Sequence, residues 1–141
     1  MKRFISKLLV FSIIISAVLT TASYAAENAS YYLSSYLVYI SKSGNTVSVN
    51  YEVEGTRKMD YLGVTEVYLY ERPDSNSSWT LVQTFLSSNP TYTSTMLGTN
   101  TTFKVDSLTY SGTSTYQYKA YVTVYAEKDG GSDSRNLIVN S

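Results

Sequence analysis

Hydrophobic and polar positions alternate along residues 116–127 without a break. Tyr116, Tyr118, Ala120, Val122, Val124 and Ala126 fall on one face, and Gln117, Lys119, Tyr121, Thr123, Tyr125 and Glu127 on the other. Successive side chains of a strand point to opposite sides of a sheet, so a period of two over this length predicts a β-strand with one buried and one wet face. Shorter runs of the same kind precede it. Residues 36–40 predict a first strand. Residues 47–53 predict a second, with Val47, Val49, Tyr51 and Val53 inward and Ser48, Asn50 and Glu52 outward. Residues 42–46 form the turn between them, because Gly44 and Asn45 accept positive φ at little cost. The pair reads as a hairpin.

Residues 55–63 are expected as a loop carrying Arg57, Lys58 and Asp60. Residues 64–71 predict a third strand, with Val67 and Leu69 inward and Glu66, Tyr68 and Tyr70 outward. Val64 falls on the outward set, and a slip of one residue would exchange the two faces. A turn cluster at 72–78 leads to a fourth strand at 79–86. Asn89 and Pro90 break the chain again. Residues 93–97 form a short strand candidate and 101–105 a better one, with Phe103 and Val105 inward and Leu108 as a plug. A turn around Gly112 precedes the long strand. Asp129, Gly130 and Gly131 make a hairpin turn, and residues 136–139 close the fold. Beyond the first 25 residues no segment longer than a turn has helical spacing. About seven short strands separated by turn signals predict an all-β, two-sheet antiparallel sandwich.

The first 25 residues belong to a different pattern. Lys2, Arg3 and Lys7 precede an apolar run at 8–19, broken only by Ser12 and Ser16, and Ser23 and Ala25 supply small residues before a cut after Ala25. This is the build of a secretory signal peptide. The run of about 12 residues is short of the roughly 20 that span a bilayer, which disfavours an uncleaved anchor. Residues 26–35 are expected as a flexible start and 36–141 as one β-sandwich domain, exported and extracellular. The signal holds three of the eleven basic residues and none of the eleven acidic ones, which leaves eight against eleven, a net charge of −3. A mixed, weakly acidic surface argues against nucleic acid and anionic membranes as partners. Cysteine is absent, so the exported domain is held by its core alone, without disulfides, thiol chemistry or a lipid-anchored cysteine. The asparagines at 28, 76 and 100 match the glycosylation pattern, a match that arises by chance in a chain rich in Ser, Thr and Asn.

The segment 101–108, the strand beginning at Tyr116 and the turn at 129–132 resemble the last three strands of a fibronectin type III-like or immunoglobulin-like sandwich. The resemblance implies that Leu108 is that family's strand-end leucine. It also implies that Tyr116 is its corner tyrosine, whose hydroxyl reaches back to the preceding loop. Tyr51 stands where the second strand of such domains usually carries tryptophan, and the loop before Tyr116 is longer than usual. The chain also resembles small, Tyr-rich secreted proteins of Gram-positive bacteria. Neither likeness brings an activity, since this architecture hosts many.

The chemistry is defined by what is missing. There is no histidine, hence no Ser-His-Asp or Cys-His arrangement and no imidazole ligand. No cofactor or metal is expected. Asp129 and Asp133 flank a glycine pair and could touch calcium, but the loop has too few carboxylates and reads as an ordinary turn. Glu52 and Glu54 share a strand face, the nearest approach to the carboxylate pair of a glycoside hydrolase. Tyrosine is the excess: fifteen, fourteen of them outside the signal. Leu108, Tyr116 and Trp79 are read as structural residues, and Tyr51 and Tyr118 as core. Tyr68, Tyr70, Tyr121 and Tyr125 are expected on one outer face. There they either pair across strands or form a contact surface for a protein or a glycan. The expected function is therefore a secreted, non-enzymatic binding module. A structural or self-associating module of the cell envelope or biofilm matrix is the alternative, and a carboxylate-only hydrolase a minor one.

Overall fold

A computed structural model describes residues 25–26 and 30–141. Apart from Ala25, the expected signal segment lies outside the described residues. The strands are β1 (Ala25–Ala26), β2 (Leu33–Ser43), β3 (Thr46–Arg72), β4 (Thr80–Leu86), β5 (Leu97–Ser111), β6 (Gln117–Lys128) and β7 (Gly131–Asn140). A single helical turn, α1 (Thr93–Met96), precedes β5. Every pairing is antiparallel, and the strands form one sheet in the order β1-β2-β3-β6-β7, with β4 and β5 also on β3. β2 touches β6 and β7, so the sheet curls back on itself.

The curl is built into β3. Its first half pairs with β2 on one edge and with residues 103–111 of β5 on the other. Its second half pairs with β6 on one edge, and with the start of β5 and then β4 on the other. The expected loop at 55–63 is therefore strand. Its sequence hides this because the register shifts between Glu54 and Met59, where the strand bends and the alternation skips. Gly55, Met59 and Leu62 are buried through the bend. The expected two sheets are accordingly two halves of one, since a single strand runs through both.

Alternation places the core as expected in Val47, Val49, Tyr51 and Val53 of β3 and in Tyr118, Ala120, Val122, Val124 and Ala126 of β6. A second register shift, between Val64 and Glu66, settles the faces of the third-strand region. Both Val64 and Val67 are fully buried across it, which turns Glu66, Tyr68 and Tyr70 outward. The hairpin at Asp129 and Gly130 has positive φ at both residues (52° and 80°) and pairs Lys128 with Gly131, the geometry that matches strand twist.

Three further expectations are corrected. Residues 33–35, expected to be frayed, are strand, with Leu33 fully buried and its N–H donating to the Ser30 hydroxyl. Phe103 and Val105 lie outward, 52% and 50% exposed. Leu108 is buried as expected and fixes the parity of β5, which puts Lys104 and Asp106 on the inward side as an ion pair at 3.0 Å. Finally, 93–96 is a helical turn, not a strand. It closes one end of the core with buried Met96, held by the Tyr51 hydroxyl donating to the Thr95 carbonyl (2.6 Å) and by Lys104 donating to the Ser94 carbonyl (3.0 Å). Gly63, at φ 150°, passes so close to the Met96 carbonyl that any Cβ there would collide with it.

Candidate functional site: a tyrosine-lined sheet face

The outward positions of β4, the second half of β3, β6 and β7 stand in rows, because antiparallel register places their side chains side by side. The middle row is Thr84, Tyr68, Tyr121 and Ile138. The row on one side is Leu81, Tyr70, Lys119 and Asn140, and the row on the other is Leu86, Glu66, Thr123 and Asn136. Together they enclose a shallow groove of about 560 Å³, lined by Glu66, Tyr68, Tyr70, Tyr121, Thr123, Asn136 and Ile138. Tyr121 and Ile138 are exposed in it (40% and 54%), and Leu81, outside the groove beside Tyr70, is exposed as well (48%).

Three of the four tyrosines expected on this face thus meet at one site. Tyr70 and Tyr121 pack edge to face, ring centroids 5.5 Å apart, the arrangement favoured by the ring quadrupoles. Tyr125 shares the face but not the groove. It is half-buried and donates its hydroxyl to the Glu127 carboxylate, and burial followed by that bond raises its pKa.

The site also contains residues that alternation alone did not single out. Trp79 is half-buried on the outer surface just before β4, with the Arg72 guanidinium 4.3 Å and the Lys119 ammonium 4.7 Å from its ring. Lys119 also lies 5.5 Å from the Tyr70 ring and 5.3 Å from the Tyr121 ring. Cations so placed are held by the ring faces. Among the described residues, neither Arg72 nor Lys119 has a carboxylate within ion-pair distance. The face is therefore polarised: Arg72 and Lys119 at one end, Glu66 and Glu127 at the other, tyrosines between. The outward parity of Lys119 was legible in the sequence. Ile138 was not, because residues 137–139 are all apolar and carry no alternation.

The corner bond expected of Tyr116 is made by Tyr118. Its buried hydroxyl accepts from the Thr113 N–H (2.7 Å) and donates to the Thr113 carbonyl (3.2 Å). Gly112 permits this approach, since a Cβ there would meet the hydroxyl. Tyr116 is half-buried at the core margin, its carbonyl accepting from Lys42 (2.8 Å).

The carboxylates are dispersed. Asp60 accepts from the Lys128 ammonium (2.8 Å) and from the Asp129 N–H, which hold its carboxyl below the usual range. Asp133 pairs with Arg135 at 2.6 Å and Asp129 lies 3.6 Å from Lys128, so each of the two turn aspartates faces a cation. Glu54 accepts from Ser35, while Glu52 lines a separate hollow of about 230 Å³ beside Tyr39 and Val105. No protein-family model, curated protein or solved structure matches this chain.

Proposed function

We propose that this chain is an exported, non-enzymatic β module that binds a protein or a glycan at the cell surface through its tyrosine face. The observation that carries the reading is the cross-strand row of Tyr68, Tyr121 and Ile138, bordered by Tyr70 and Leu81 and open to solvent. A contiguous apolar strip rimmed by polar groups is what protein and ligand contact sites present. Tyrosine adds broad area and a hydroxyl at small entropy cost. The aromatic pairing of Tyr70 with Tyr121 fits the same reading, because a ring locked by its neighbour loses little freedom on binding. The proposal includes kinship with fibronectin type III-like or immunoglobulin-like sandwiches. The curled antiparallel sheet and the tyrosine that closes the loop at Thr113 support it.

Two measurements test this. A tagged full-length chain should appear in the medium beginning at Ala26; retention in the cell with an intact amino terminus would overturn export. The exported chain and its Tyr70→Ser/Tyr121→Ser variant should then be compared on a glycan array and on immobilised cell-surface fractions. Saturable binding by the native chain, weakened by at least about 10-fold in the variant, is expected, since exposed aromatic anchors can carry more than about 2 kcal/mol each. Equal binding by both would overturn the role of the face.

A further inference from the structure

We infer that the tyrosine face takes a second copy of the same chain, forming a two-fold, face-to-face dimer. The inference rests on the contact-surface reading above and names its occupant. The argument is the order of the rows. The first holds Lys119 and the third holds Glu66, and the middle row of Tyr68, Tyr121 and Ile138 separates them. Rows on one face are two residues apart along a strand, roughly 7 Å. A two-fold axis lying between two facing sheets and running along the middle row lays the first row of each copy over the third row of the other. Lys119 of each copy then faces the row that holds the other copy's Glu66, twice over, while the tyrosine rows meet on the axis. Such self-complementarity is what an isologous interface requires.

The unpaired charges agree with this. Lys119 rests on aromatic rings with no carboxylate partner among the described residues, and Glu66 stands exposed at the far end of the groove. Leu81 and Ile138 extend the strip at its edges as aliphatic surface. That surface suits apolar side chains better than sugar hydroxyls, with tyrosine at the centre and charge at the rim as in protein interfaces. Two sheets stacked in this way sit about 10 Å apart and cross at roughly 30°.

Charge reversal tests the inference. In Lys119→Glu every cross-copy pair becomes acid on acid, and in Glu66→Lys base on base. An equimolar mixture of the two restores opposite charges at both pairs of the mixed dimer. Sedimentation velocity on the exported chain should show a dimer for the native protein and about 10-fold weaker self-association for each single variant. The mixture should regain a dimer near native affinity, with circular dichroism confirming that both variants fold. A native chain that stays monomeric, or a dimer indifferent to both reversals, would overturn the inference. The array comparison of the Tyr70→Ser/Tyr121→Ser variant keeps the two readings apart. A monomer that still needs these tyrosines for surface binding removes the dimer and leaves the contact face standing. A monomer whose surface binding ignores them removes both.

Discussion

Tyr118 and Tyr116 differ by one hydroxyl's surroundings, and that difference has a measurable size. Tyr118→Phe strips the partner from both backbone groups of Thr113 beside a buried ring, which should cost roughly 1–3 kcal/mol in urea unfolding. Tyr116→Phe should stay within about 0.5 kcal/mol. Equal losses at both positions would contradict the geometry. Both tyrosines share a parity, so alternation could not choose between them; the choice is made by the length of the loop each must reach across. Gly63→Ala should be more damaging than either, because it combines positive φ with collision against the Met96 carbonyl. A loss of more than about 3 kcal/mol, or failure to fold, is expected. Asp60 provides a pH test. Its folded-state pKa is depressed by the Lys128 hydrogen bond first and the Asp129 N–H second. Its contribution is thus present above the unfolded carboxylate range near 4 and is lost as pH falls through the folded value. Between pH 5 and 2, roughly the window in which aspartates titrate, the melting temperature of the native chain should fall further than that of Asp60→Asn.

Regular stretches of the elements were legible, and irregular ones were not. The whole buried set of β6 and the first half of β3 follows from a period of two, as does the outward set that brings Tyr68, Tyr70 and Tyr121 together. The misreadings gather at register shifts. The bend between Glu54 and Met59 made strand look like loop. In β5 a strand with charge on its inward side, Lys104 and Asp106, left Phe103 and Val105 to solvent, the reverse of the usual distribution. Only the chain's return past α1, where Lys104 finds the Ser94 carbonyl, explains that inversion, and no local pattern encodes it. On the outer face, a double-mutant cycle between Tyr70 and Tyr121 in denaturant melting should return a coupling of about 0.5–1.5 kcal/mol for the edge-to-face pair. A coupling near zero would mean the rings do not hold each other.

For the whole molecule, tyrosine ties stability to alkaline pH. The hydroxyls of Tyr51, Tyr110, Tyr118 and Tyr125 all have raised pKa values, burial being the first cause in each. The charges of Asp106, Glu71 and Glu127 add to it at Tyr51, at Tyr110 and Tyr118, and at Tyr125 respectively. With folded values raised, stability is fully present below the unfolded tyrosine pKa of about 10 and is lost as pH rises through the folded values. An ultraviolet titration should show the phenols of Tyr51, Tyr110, Tyr118 and Tyr125 ionising only together with the loss of strand signal by circular dichroism. A single early transition with the fold intact would contradict the burial. The sharing of β3 between both halves of the sheet also governs when the molecule can exist at all. Leu62 lies against Gly98 on one side and Ala126 on the other, so a chain emerging amino terminus first has made β3 long before either neighbour is available. Pairing across such separations is slow because the closure entropy comes first. The β2–β3 hairpin can form early and β5 then flanks the first half of β3, but the second half does not close until β6 has emerged. Until β6 has been made, the second half of β3 keeps an open edge, and Leu62 and Val64 lack the neighbours Ala126 and Val124 that flank them in the finished sheet.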